Sequence, residues 1–127
     1  MPRIISFAWT SAALLAGAKT VTRRAWAPAY ARTFRSNELI HAYDRSPRVG
    51  GHQIARLRLT DVPRYEADAD APDSDYEAEG FAWFAAHPDA LPARAREELR
   101  VAVSPAAYQA WREAGGHSWV IRFEVLP

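Results

Sequence analysis

Hydrophobic and polar residues alternate most cleanly near the end of the chain. Trp119, Ile121, Phe123 and Val125 fall on one face there, and Arg122 and Glu124 on the other. A period of two marks a strand with one buried face, so 118–126 is read as a strand. The same period places Ala55, Leu57 and Leu59 inward and Arg56 and Arg58 outward over 53–60. It also predicts a strand over 38–43, and one over 3–9 with Ile5, Phe7 and Trp9 on a common face. After that first strand, Thr10 or Ser11 is expected to cap a short helix through Leu14 and Leu15 that stops at Gly17. The β-branched residues from Thr20 to Thr22 favour an extended segment. Residues 23–37 show no period and read as an irregular loop mixing arginines with Trp26, Tyr30 and Phe34. Pro47 and the Gly50-Gly51 pair mark 44–51 as a turn.

The second half reads as helical. An acidic loop beginning at Glu66 leads to a helix capped by Asp73 or Ser74 and running to Ala86, with Asp75 and Glu77 at the positive end of its dipole. A second short helix covers 92–100. Ser104-Pro105 starts a third, with a cap followed by proline at the first helical position, and Gly115-Gly116 ends it. Strands at both ends with helices between them predict an α+β chain, one domain over 1–127, built on a small curved sheet or barrel.

Charge changes this picture. Residues 1–64 hold ten Arg, one Lys and three acids, a net +8, whereas residues 65–127 hold five Arg and twelve acids, a net −7. The basic half suits a phosphate-bearing partner; the alternative is that the halves neutralise each other across the fold. There is no cysteine, which removes disulfides and thiolate metal sites and fits a cytoplasmic setting. No run approaches the ~20 apolar residues of a membrane span. The four histidines lack metal-ligand spacing, so neither a metal nor another cofactor is expected.

Fifteen arginines stand against a single lysine, Lys19. Only the amine can lose its proton near neutral pH, which singles Lys19 out for chemistry. Arg23 and Arg24 give it a like-charge reason for a lowered pKa, to which burial would add. As a base it could activate Thr22; charged, it could steady an oxyanion. In a regular strand Lys19, Val21 and Arg23 share one face, and Ala18, Thr20, Thr22 and Arg24 the other. Lys19 and Thr22 therefore meet only if the chain bends. Glu79 borders an aromatic helix face between Tyr76 and Trp83, where a carboxyl group tends to stay protonated. Thr20, Arg23, Arg24, Trp26, Tyr30 and Arg48 are candidates for holding a substrate or RNA.

The runs Ile5-Ser6-Phe7 and Leu14 to Arg24, with Gly17-Ala18-Lys19-Thr20 at their centre, resemble the ASCH domain signature. The likeness extends to Glu79-Gly80-Phe81 and to Trp119 through Glu124. One departure is Ser36-Asn37-Glu38, where the family has a Gly-Asp turn; Asn tolerates the same left-handed backbone. The resemblance implies a PUA-like small β-barrel with flanking helices and a cleft for RNA or nucleosides. No cofactor and a monomer or weak dimer are expected. Small bacterial members that look like this chain are N4-acetylcytidine amidohydrolases, and their Lys, Thr and Glu match Lys19, Thr22 and Glu79. By that analogy Thr22 attacks the acetyl carbonyl, Lys19 activates it or stabilises the charge, and Glu79 passes a proton to the leaving amine. Other relatives bind or cleave RNA, so an RNA-binding module is the alternative expectation.

Overall fold

The computed structural model describes residues 2–127. Six strands form one mixed sheet: β1 (Arg3–Ser6), β2 (Val21–Arg24), β3 (Leu39–Tyr43), β4 (Gln53–Leu59), β5 (Arg64–Ala67) and β6 (His117–Val125). The order is β1-β3-β4-β6-β2, with β5 also on β6. Only β1 and β3 run parallel. The sheet curls into a half-barrel flanked by helices, so the expected α+β class is the one formed.

The alternating pattern accounts for the barrel core. Ile5, Ile40, Leu57, Leu59, Ile121 and Phe123 are all buried in it, joined by Leu14 and Phe34. A second core lies among the helices around Phe84, Leu91 and Val103. Helix α1 (Ser11–Leu15) serves both, because Leu14 enters the barrel core and Ala13 the helical one.

Several elements differ from expectation. The first strand stops at Ser6, because Ala8 takes a positive φ of 48° and turns the chain. Trp9 then packs on Phe81 and Phe84 in the helical core. The hydroxyls of Thr10 and Ser11 donate backward to Phe7 and Ala8 carbonyls and do not cap α1. The basic-aromatic stretch holds the end of β2 and a four-residue helix, α2 (Pro28–Ala31), started by proline. The acidic segment begins inside β5, an edge strand too exposed to show an alternating pattern.

The helix expected through Ala86 is two, α3 (Ser74–Ala78) and α4 (Phe81–Ala86), broken where Gly80 adopts φ 91°. Asp73 leaves the α3 terminus uncapped and accepts instead from Arg112. Helix α5 (Arg96–Ala102) follows, and α6 (Pro105–Glu113) is capped as expected, with Ser104 Oγ accepting from the Ala107 amide at 3.1 Å. Asn37 has φ 67°, the left-handed backbone expected of its turn.

Gly80 sets the angle between α3 and α4. A Cβ there would lie 2.7 Å from the Ala13 Cβ, on a helix that serves both cores. Gly80→Ala is expected to destabilise the fold by at least about 1 kcal/mol, from the left-handed backbone alone. Chemical denaturation against the wild type checks this.

Candidate active site

Strands β1 and β2 are the two ends of the sheet path, and the half-barrel does not close between them. Arg24 spans that seam. One terminal nitrogen donates to the Ser6 carbonyl at 2.7 Å, and Nε donates to Thr22 Oγ1 at 3.2 Å. Thr22 and Arg24 share a face of β2, opposite Ile121 and Trp119 of β6, while Arg23 leaves on the helical side.

Lys19 lies before the strand begins, and a bend delivers it to the same place. The Ala18 amide donates to Ala13, the Thr20 amide to Ala78, and the Phe123 amide to the Thr20 carbonyl. This short segment is thus held between α1, the end of α3 and β6. Lys19 is carried under the Glu79-Gly80 turn, where Nζ donates to the Glu79 carbonyl at 3.0 Å. A cavity of about 280 Å³ opens at the seam, lined by Lys19, Thr22, Arg23, Arg24 and Glu79 together with Ser6, Phe7 and Trp9. The structure therefore brings Lys19, Thr22 and Glu79 together. Lys19 and Thr22 share this cavity without a hydrogen bond between them.

Lys19 is 2% exposed. Burial lowers its pKa from 10.5 to about 8; Glu79 opposes the shift, and Arg24 and Arg23 add to it. The like charges named from the sequence are thus minor beside desolvation. Glu79 is shifted upward, chiefly by burial, against the pull of Arg23 and Lys19. Its carboxylate accepts from Arg23 at 3.0 Å.

Arg23 also bonds Asp75 at 2.5 Å, and Arg122 grips the same carboxylate with two bonds of 2.9 Å. Burial works to raise the Asp75 pKa, but the hydrogen bonds from Arg122 and Arg23 outweigh it and hold it below its usual value. Arg24 has no carboxylate partner among the described residues, and burial lowers its pKa.

A larger cavity of about 510 Å³ shares Arg23, Arg24, Glu79 and Phe81 with the first and adds Tyr108, Trp111 and Ser118. The Tyr108 hydroxyl is buried beside the Glu79 carboxylate, and burial together with that carboxylate raises its pKa. Trp111 lies under the Arg23 guanidinium at 5.5 Å.

Other residues singled out from the sequence lie elsewhere. Thr20 lines a separate cavity with Trp83 and His87. Trp26 stacks on Phe34 at 4.8 Å, and Tyr30 meets both rings edge-on. Arg48 is exposed in the turn between β3 and β4 and lines none of these cavities. Sequence reasoning missed Asp75, Tyr108, Trp111 and Arg122 as members of the site. Asp75 had the signature of an ordinary first-turn acid, and its partners lie 47 and 52 residues away.

Among the described residues no group of three or more His, Asp or Glu side chains could hold a metal ion. No helix there is long and apolar enough to cross a membrane. No family model matches the chain, and no curated protein matches it. Among solved structures it is similar to the crystal structure of protein EF3133 from Enterococcus faecalis V583, family-model DUF984. The TM-score is 0.59 at 19% identity, covering 99% of this chain and 80% of that one. At that identity the likeness shows the fold.

Two outcomes follow from these charges. Asp75→Ala leaves Arg23 and Arg122 facing each other without their shared anion, and is expected to cost about 3–5 kcal/mol in denaturant unfolding. Lys19→Met removes a buried ammonium that costs the fold roughly 3 kcal/mol at pH 7. Between pH 8 and 10.5 the unfolded chain binds the Lys19 proton more tightly than the folded one. Wild-type stability therefore rises with pH in that window relative to Lys19→Met. Paired unfolding curves at pH 7 and pH 10 measure the narrowing gap.

Proposed function

We propose that this chain is an ASCH-type amidohydrolase that removes the acyl group from N4-acetylcytidine-type nucleosides. One observation carries the reading. A buried amine with a pKa of about 8, a threonine hydroxyl and a buried carboxyl group with a raised pKa line a single cavity at the barrel seam. An amide hydrolase needs those three functions: base, nucleophile and acid.

In the proposed reaction the Thr22 hydroxyl attacks the acetyl carbon while neutral Lys19 takes its proton. The developing oxyanion lies near the Arg24 guanidinium, which already touches Thr22 Oγ1. The carbon–N4 bond breaks as Glu79 gives its proton to N4, releasing cytidine and leaving Thr22 acetylated. Water then adds to the ester carbon and gives its proton to Glu79. The Thr22 oxygen leaves with the proton held by Lys19, which frees acetic acid and restores all three groups. The larger neighbouring cavity has room for the pyrimidine and ribose.

The test is incubation with N4-acetylcytidine, following release of cytidine. Wild type is expected to turn over, and Thr22→Ala and Lys19→Ala are expected to lose at least about a hundredfold in kcat/KM. The reaction needs neutral Lys19 and protonated Glu79 together, so the rate is bell-shaped in pH: it falls on the acid side as the base is protonated and on the alkaline side as the acid is lost. Lys19→Arg, which cannot deprotonate, is expected to be inactive. Activity surviving in that variant would show that Lys19 serves as a fixed charge. No turnover by wild type at high enzyme concentration would overturn the reading.

A further inference from the structure

The core-side face of β2 and β6 does not end at Arg24. Trp119, the partner of Arg24 across β2 and β6, pairs on its other side with Tyr65 of β5, and their rings meet at 5.2 Å. These two, with Trp26, Pro28 and Arg32, line a further cavity of about 270 Å³. Trp119 is 6% exposed, and its indole nitrogen is buried without a hydrogen-bond partner. Trp26 is held in place by its stack on Phe34. Tyr65 is 60% exposed, with His117 stacked against it at 5.4 Å. Arg32 is exposed, lies 6.0 Å from the Trp119 ring and has no carboxylate partner among the described residues.

Aromatic walls, one free guanidinium and no carboxylate in the lining are the chemistry that stacks nucleobases beside a phosphate backbone. Glu66, the acid next to Tyr65 in sequence, points to the opposite face of β5, as the strand alternation requires. Position strengthens the case. Trp26 follows Thr22 by four residues, so their Cα atoms are at most ~14 Å apart. A short single strand spans that distance.

We propose that this slot binds a nucleobase of single-stranded RNA, next to the nucleotide held at Lys19 and Thr22. The substrate is then a modified cytidine within an RNA chain. Arg32 meets the backbone phosphate beside the stacked base. The assignment of the neighbouring nucleotide rests on the proposed hydrolase reading; binding of a base in the slot does not.

The test uses equilibrium binding of an oligouridylate about six nucleotides long, read by tryptophan fluorescence. Wild type is expected to bind with quenching, and an abasic strand of equal length at least about fivefold more weakly. Tyr65→Ala, an exposed change, is expected to lose at least about fivefold in affinity for the oligouridylate, and Arg32→Ala to lose affinity and flatten the salt dependence. Circular dichroism confirms that both variants fold. Equal affinity for abasic and base-bearing strands, or unchanged binding in Tyr65→Ala, would overturn the proposal. So would preferential binding of a duplex, or a dimer in sedimentation that Tyr65→Ala dissolves. Oligouridylate contains no scissile amide, so a failure of hydrolysis leaves this result intact. Hydrolysis of free N4-acetylcytidine without slot binding would leave the enzyme reading and remove this one.

Discussion

Arg23 leaves the edge strand on its helical side and meets two carboxylates, Asp75 and Glu79, that lie more than fifty residues on in the chain. All three side chains are almost fully buried. Arg122, on the neighbouring strand β6, closes the group by gripping Asp75 with two bonds. This cluster joins the sheet to the turn between α3 and α4, and it holds that turn over the barrel seam. Ion pairs of this kind add little net stability compared with apolar packing, because desolvation offsets the attraction. What they fix is geometry, since a planar guanidinium bound by two carboxylates has little freedom to shift.

The consequence falls on Lys19. Arg23 takes one oxygen of the Glu79 carboxylate, and the hydrogen-bond partner of the amine is the neutral Glu79 carbonyl. A buried ammonium without a direct carboxylate contact is poorly stabilised, and its proton becomes easy to lose. Glu79 in turn is desolvated more than Arg23 can offset, and its proton becomes harder to lose. Burial thus displaces two neighbouring groups in opposite senses, each in the direction its proposed role requires.

Much of this was legible in the sequence. The alternation in β3, β4 and β6 is strong because one face of each strand meets a single apolar core. Lys19 stood out because arginine had taken nearly every other cationic position. The failures have local causes. Ala8 turns the chain where the alternation of Ile5, Phe7 and Trp9 predicts a longer strand. Gly80 breaks a helix whose flanking residues all favour one. Strand β5 carries no alternation because it lies exposed at an edge. Asp75 and Arg122 each look like ordinary surface charges, one in a first helical turn and one on an outward strand face. Their partnership depends on helices packing against the outside of the sheet, which no local pattern encodes.

The protonation state of one amine sits at the centre of this arrangement, and the chain allows it to be seen directly. There is a single lysine, so a sample labelled at the lysine side chain gives one resonance to follow by NMR as pH is varied. The structure predicts a titration midpoint of about 8. It also predicts that Glu79→Gln lowers this midpoint further, because the variant removes a carboxylate that opposes the shift. A wild-type midpoint at the ordinary lysine value of 10.5 would contradict the account, because Lys19 would then be a solvated or carboxylate-paired cation.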